Sequence, residues 1–449
     1  MSAVMAALLI ASTADQFPIG SYKPDISRVP KDAKGIMGAY FNLHYLVISP
    51  GFNFTLAGGE QRGYWRQEGN KYILVFDGFF AAPSSEPEEV LRKKVPKNHL
   101  EGLVLEKGSN GTLILNKWGQ DWGPVIYRPL PRRSITELVK LSSTYNEAFG
   151  TEKMGAVDEA HCALIDRVNS DWFELLMFIN DPKQSWDHRI WAAINLGSLQ
   201  DSKSIEEAIR MIPVIKDPEG KKREASLRRI LSRLAAKRPT DQTAEWLIRY
   251  QSQGLLRAAD VAPALGRLKR EKHTDLLIGW LSSEKEFDKI YSLQALTELS
   301  ALGALPQARQ LVNDPQVSVQ LAAHALIART TPDELERKAS VRSIAKWTKG
   351  GDFITPSYAV DALVNSRAPE AFPHLVALLS SDASSIIRSN VADDLGDLGD
   401  LRAVPALLEA RQRRAADMDG WPGEARVIRS ASEALVKLGR IKRGQAGRS

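Results

Sequence analysis

A leucine pair spaced Leu-x-x-Leu and preceded by small residues returns at Leu196/Leu199, Leu231/Leu234, Leu265/Leu268, Leu299/Leu302, Leu395/Leu398 and Leu435/Leu438. Degenerate copies sit at Leu326 and Leu363. Successive copies lie about 27 to 40 residues apart, mostly near 34. That period suits a helix pair too small to bury its own apolar face, so that neighbouring pairs must stack. More than half of the chain is therefore expected to be an α-solenoid, an architecture that offers a surface and carries no visible chemistry.

The remaining sequence follows a different period. From Phe17 to about Leu130, short runs of β-branched and aromatic residues are punctuated by Gly, Asn and Asp. Ala39–Ser49, Asn53–Leu56, Gly63–Gln67, Lys71–Phe76, Glu101–Glu106, Thr112–Lys117 and Val125–Arg128 read as strands. Glu68-Gly69-Asn70 and Lys107–Gly111 read as hairpin turns, with Asn110-Gly111 a strong turn pair. Six to eight antiparallel strands in this length predict a small barrel or sandwich. Pro129–Arg133 reads as a stop and linker, after which Ser134 and Glu137 have capping-box spacing. Helices over Val157–Val168 and Asp171–Ile179 are expected to cover the end of the solenoid. The domain reading is a β domain over 17–130, a helical linker or cap over 131–182, repeats over 183–442 and a basic tail over 443–449.

The order of the β motifs resembles the lipocalin-like small barrels of bacterial envelope proteins. Gly20-Ser21-Tyr22, Phe54-Thr55-Leu56, Gly63-Tyr64-Trp65, Tyr72–Val75 and Ile126-Tyr127-Arg128 match their strand signatures, while the Ala82–Asn98 insertion and the Trp118/Trp122 pair depart from them. In the second half, Arg189–Leu199 aligns with Ile387–Leu398, and Ile428–Leu435 repeats the line. Arg, small residues, then Leu-Gly-x-Leu resembles the HEAT-like repeats of phycobilisome-lyase subunits. This resemblance implies a right-handed solenoid of helix pairs. It leaves function open, because the same repeats serve bilin lyases, scaffolds and DNA glycosylases.

Composition narrows the classes further. The net charge of +6 is mild for 449 residues and is accounted for by solubility alone. One cysteine, Cys162, excludes an intrachain disulfide; it reads as a buried small residue or a reactive thiol. Val4–Ala11 is apolar and leads to Ser12, Thr13 and Ala14, which resembles a secretory signal over 1–14 without its usual basic start. The alternative is an initiating helix of a cytoplasmic protein. Outside this run no segment is apolar enough to span a membrane.

The seven histidines never stand at i, i+4, and the phosphate-cradling and nucleophile-elbow motifs are absent. Ser282–Lys285 matches Ser-x-x-Lys without partner motifs, and Asp393, Asp394, Asp397 and Asp400 lack calcium-loop spacing. Basic residues run from Lys221 through Lys222, Arg223, Arg228, Arg229 and Arg233 to Arg238, and again from Arg267 through Lys269 and Arg270 to Lys272. Stacked, they make either a cationic stripe for phosphate, nucleic acid or an acidic partner, or a solvated outer face. Trp65, Trp118 and Trp122 read as barrel core or as the lining of a pocket. Trp172, Trp186 and Trp191 with Arg189 faintly resemble the aromatic pockets of HEAT-type DNA glycosylases; core packing is the plainer reading.

These readings converge on an exported, non-catalytic protein without cofactor. Its solenoid binds a protein partner, with Lys222, Arg229, Arg233, Lys269 and Arg270 as candidate contacts. Its β domain is structural or holds a small apolar ligand. The rivals are a cytoplasmic nucleic-acid-binding protein and a pigment or lipid lyase-like chaperone.

Overall fold

A computed structural model describes residues 20–25, 45–49, 53–57, 61–68, 71–76, 103–115, 124–148, 153–199, 201–216, 220–349, 354–381, 384–412 and 423–440. The apolar run at 4–11, the Ala82–Asn98 insertion, Trp118, Trp122, the turn at Gly69-Asn70 and the tail from 443 lie outside the described residues.

Eight strands, β1 (Gly20–Asp25), β2 (Tyr45–Ser49), β3 (Asn53–Ala57), β4 (Gln61–Glu68), β5 (Lys71–Phe76), β6 (Leu103–Lys107), β7 (Leu113–Leu115) and β8 (Val125–Pro129), form a closed antiparallel barrel in chain order. Closure comes from β1 pairing with β8, with Tyr22 opposite Pro129 and Asp25 opposite Ile126. Asn110 (φ 55) and Gly111 (φ 71) turn the chain between β6 and β7, as the Asn-Gly pair predicts. Tyr22, Leu46, Ile48, Tyr72, Leu74, Leu105, Leu113, Leu115, Val125 and Tyr127 are buried. Tyr45 and Val47, the alternate residues of β2, are buried too, because Leu130, Ala156 and Cys162 pack on them. Two covered faces explain why Tyr45–Ile48 lacks the alternation of a half-exposed strand. Cys162 is accordingly a half-buried packing residue.

Eighteen helices are described. The first three are α1 (Ile135–Ser142), α2 (Tyr145–Ala148) and α3 (Met154–Asn180). The Ser134–Glu137 capping box closes both ways: the Glu137 amide donates to Ser134 Oγ at 3.2 Å, and the Ser134 amide donates to Glu137 Oε2 at 2.8 Å. The two helices expected between Val157 and Ile179 are one interrupted helix, broken only at Asp171 (φ −113, ψ 22). Arg132 and Arg167 both donate to Asp171, and Arg133 donates to the buried Glu159, so the linker arginines are tied to α3. The chain divides into two compact units within α3, after Leu175.

The second unit continues through α4 (Trp186–Asn195), α5 (Ser202–Arg210), α6 (Lys221–Ala235), α7 (Asp241–Ser252), α8 (Ala258–Leu268), α9 (Thr274–Trp280), α10 (Glu286–Leu299) and α11 (Leu305–Leu311). It ends with α12 (Val317–Thr330), α13 (Glu334–Ala345), α14 (Ile354–Ser366), α15 (Ala371–Leu379), α16 (Ser385–Leu398), α17 (Val404–Gln412) and α18 (Gly423–Lys437). Even-numbered helices from α4 to α18 pack side by side in one layer, and odd-numbered helices from α5 to α17 form the other.

The leucine motif has a structural reason. Its first leucine is fully buried at Leu196, Leu231, Leu265, Leu363, Leu395 and Leu435. The residue after its last position turns left-handed and ends the helix: Lys269 (φ 53), Arg367 (φ 45), Gly399 (φ 74) and Gly439 (φ 67). One pair is displaced from the expectation. Leu302 is 58% exposed in a 3₁₀ turn, whereas Ser300 (φ 53) holds the left-handed position, so the pair in that repeat is Leu296/Leu299.

The two layers are fastened differently. In the even layer, a Cβ added to Gly266 would stand 2.7 Å from Ala295 Cα, and one on Gly396 would stand 2.7 Å from Ala434 Cα. In these two Leu-Gly-x-Leu copies the glycine thus accepts the alanine that precedes the next helix's motif leucine. In the odd layer, polar contacts one repeat apart run as a ladder. Thr240 donates to Glu206 (3.0 Å), Arg270 to Asp241 (3.0 Å), Arg309 to Glu336 (2.7 and 2.9 Å) and Arg337 to Glu370 (3.0 Å).

Candidate interaction face

The structure sorts the basic residues by what they touch. Arg228 donates to the Ile212 and Ile215 carbonyls at 3.1 and 2.8 Å and pairs with Glu224, so it braces the turn before α6. Arg223 lies over Trp186 with 5.5 Å to the ring centroid. Arg267 donates to the carbonyl of Ala236, the C-cap of α6. Arg270 and Lys272 share Asp241. Lys269 is the left-handed residue that ends α8. Among the described residues the side chains of Lys222, Arg229 and Arg233 have no hydrogen bond or ion pair, and neither has that of Lys269. The first three recur at i, i+7 and i+11, opposite the buried Leu227, Leu231 and Leu234. The structure thus gathers three of the five candidates on one face and engages Arg270 elsewhere. Trp65 stands opposite Leu74 in the β4–β5 register. Arg189, 1% exposed, is a brace: it donates to the Ile179 carbonyl at 2.8 Å and the Lys216 carbonyl at 3.0 Å.

Lys222, Arg229 and Arg233 stand nine and two positions before, and two after, the motif leucine Leu231. The same offsets mark a solvent-facing row along the even layer. On α10 they give Phe287, Gln294 and Glu298, with Tyr291 between. On α14 they give Ile354, Asp361 and Asn365, with Tyr358 between. On α16 they give Ile386, Asp393 and Asp397, with Asn390 between. All are at least partly exposed. On α12 the row lies one residue further on relative to the degenerate copy at Leu326: it is Ser318, Ala322, Ala325 and Arg329, and the two alanines are buried. Small side chains there leave a recess floored by Ser318, Ala322 and Ala325. Its walls are Ile290, Gln294 and Thr297 on one side and Tyr358, Ala362 and Asn365 on the other.

The row changes character along the stack: basic on α6, amide and aromatic on α10, acidic on α14 and α16. Phe287, 45% exposed, stacks on Tyr291 with centroids 6.4 Å apart. Ser318 donates to Glu286 at the mouth of the recess. Asp361 is open to solvent yet set deep enough among its neighbours that desolvation raises its pKa. Asp394, beside it on α16, is pushed up to about 7 by burial and then by Asp361, Asp397 and Asp393, against the opposing pull of Lys437. Tyr358 is raised by burial and by Tyr291, Glu286 and Asp361. At the other end of the recess burial raises Glu298 despite Arg267, Lys269 and Arg367.

Metal chemistry has no visible site: among the described residues no three His, Cys, Asp or Glu side chains are grouped to hold an ion. Buried His273 and half-buried His324 each keep one ring nitrogen without a partner among the described residues, and burial lowers both pKa values, which favours neutral rings. Among the described residues no helix is long and apolar enough to cross a membrane. The recess residues Gln294, Tyr358 and Asn365, and Asp361 on the same row, are not legible as a site in the sequence. Their offset from the motif leucine was a usable signal, but only once the Leu296/Leu299 register was known.

Residues 387–413 match the PBS lyase HEAT-like repeat, and they span α16, its Gly399 turn and α17. Comparison with curated proteins finds no match. Among solved structures the chain is similar to human deoxyhypusine hydroxylase, at 15% identity and TM-score 0.28, covering 61% of this chain and 98% of that one. It is also similar to YibA of E. coli, at 14% identity and TM-score 0.25, covering 70% of this chain and 100% of that one. An engineered protein gives 15% identity and TM-score 0.25, covering 69% and 99%.

Proposed function

We propose that this HEAT-like repeat chain is a non-catalytic scaffold whose even-helix layer binds a protein partner. The observation that carries this reading is the recess over α12, where the Gln294 and Asn365 amides flank an alanine floor and have no hydrogen-bond partner among the described residues. Free amides beside small residues suit a partner's main chain, which carries both donors and acceptors. The absence of catalytic motifs from the sequence supports the same reading. For the barrel, an interior filled by Tyr22, Leu46, Tyr72, Leu74, Leu105, Leu113 and Tyr127 supports a structural role over an apolar-ligand site in a lipocalin-like module. The signal-like run at Val4–Ala11 supports export, and a mature N-terminus near Asp15 in an extracytoplasmic fraction is the result that reading requires.

The test of the scaffold reading is an Ala325→Trp variant that fills the recess. It is compared with the native chain for partners crosslinked and identified in the source organism. Loss of a partner with unchanged circular dichroism supports the reading; an unchanged partner set removes the recess from it.

A second reading has its own observation. Lys222, Arg229 and Arg233 form a cationic row on α6 without an ion pair among the described residues, which suits a polyanion. Nucleic-acid binding that weakens steeply with salt, and that Arg229→Gln with Arg233→Gln removes, would establish it.

A further inference from the structure

We infer that the stretch of the even layer from α10 to α16 takes an extended polypeptide segment bearing Lys or Arg side chains. The inference rests on the scaffold reading and names the chemistry of its partner. Three features converge on it. The first is the amides of Gln294 and Asn365 on opposite walls of the recess, without a hydrogen bond among the described residues and placed to bond a strand lying across α12. The second is charge. Asp361 has no ion pair or hydrogen bond among the described residues, and neither does Asp394, whose carboxyl lies close enough to feel Asp361. Asp393 accepts only from Ser430 at 3.0 Å, and Asp397 pairs with Lys437 at 2.7 Å. The layer therefore leaves its carboxylates short of cations, and a basic side chain supplies what is missing. The third is an exposed apolar line along one edge of the same row: Phe287, Ile354 and Ile386, 45%, 65% and 39% exposed. Phe287 and Tyr291 add an aromatic face for a cation beside the acidic groups.

The dimensions agree with a strand. Packed helices stand about 8–10 Å apart, and α10 and α14 also touch each other directly across α12, so the path from α10 to α16 is shorter than three full steps, roughly 20 Å. An extended chain rises about 3.3 Å per residue, so about six residues bridge that distance. Burial raises the Asp394 carboxyl, and a Lys or Arg set against it draws the proton off and restores the charge.

The test uses the full chain and fluorescently labelled unstructured peptides of about ten residues. One is built of Lys, Gly and Ser, one of Glu, Gly and Ser, and one of Gly and Ser only. Anisotropy is read at low and physiological salt. The inference expects the Lys peptide to bind at least about tenfold more tightly than the Glu peptide. It expects Asp361→Asn with Asp394→Asn to remove that preference. It expects Gln294→Ala with Asn365→Ala to weaken all binding, and Glu245→Gln on α7 to change nothing. Equal affinity for Lys and Glu peptides, or binding indifferent to the recess variants, overturns the inference and leaves the scaffold reading standing. If no peptide binds while Ala325→Trp abolishes a crosslinked partner, the segment inference is wrong and the scaffold reading survives. If no peptide binds and that variant changes nothing, both are wrong.

Discussion

Gly396 on α16 lies so close to Ala434 on α18 that an added Cβ would stand 2.7 Å from the Ala434 Cα and 2.8 Å from its Cβ. Gly266 meets Ala295 in the same way, while Gly197 has nothing within 4 Å of its added Cβ. Backbone atoms cannot swing aside as a flexible side chain can, so the helices have to separate. Gly396→Ala and Gly266→Ala are each expected to lose about 1–3 kcal/mol. Gly197→Ala is expected to gain about 0.5 kcal/mol, since it removes a poor helix former without a clash. Urea denaturation of the three variants decides it, and equal effects at all three sites would sink the interlock.

Arg189 is buried with its guanidinium on the carbonyls of Ile179 and Lys216. Arg189→Met keeps much of the volume and strands both acceptors. A loss of about 2–4 kcal/mol is expected in thermal unfolding. Arg189→Lys should recover only part of it, because an ammonium lacks the planar fork that spans two carbonyls. A Met variant as stable as the native chain would show that neither carbonyl depends on this bond.

Asp394 makes stability depend on pH. Its folded pKa is raised to about 7 from 3.8, so the folded state holds the proton more tightly than the unfolded state. The stabilisation is present below about pH 4 and is lost as pH rises to about 7. Asp361, Asp393, Asp397 and Lys437 are the charged groups that act on it. Asp394→Asn is therefore expected to be more stable than the native chain by about 1–3 kcal/mol at pH 8, with the difference vanishing near pH 4. A pH-independent difference would place the cause elsewhere.

Glu336 has the opposite sign. Arg309 and then Thr331 donate to its carboxylate and hold its pKa at about 2, against 4.5 unfolded. Its contribution is present above about pH 4.5 and fades as pH falls toward 2. A double-mutant cycle of Arg309→Gln and Glu336→Gln should give a coupling of about 0.5–1 kcal/mol at pH 6, the ion pair being half in solvent, and less at pH 3. The same coupling at both values would contradict the ion-pair ladder.

The helices of the repeat half were readable because each carries its own local punctuation. Pro, Gly or Asp stands at most ends, and the Ser134–Glu137 box marked the start of α1 to the residue. The barrel's strand order followed from hairpin turns, whereas its closure through β1 and β8 is a contact more than a hundred residues apart in sequence, with no local signature. A single non-helical residue and a true terminus look alike in sequence, so the periodicity divides this helix in two, ending one part at Val168 and starting the next at Asp171.

The candidate site was less legible, and Arg228 and Arg229 show why. They are adjacent and chemically identical, yet one braces the Ile212 and Ile215 carbonyls and the other stands on the solvent row without a partner. Adjacent positions differ by about 100° around a helix, so composition cannot say which of two arginines is free.

By itself, the sequence determined that this chain stacks helix pairs behind a small β domain, because a recurring leucine with small neighbours has only that way to bury itself. Only the tertiary structure decided where the stack opens. Ser318, Ala322 and Ala325 are unremarkable on an isolated helix; they become the floor of a recess when Gln294 and Asn365 rise from the helices on either side. The physical reason is that a motif records what one helix buries, while a binding surface is defined by how far its neighbours stand above it.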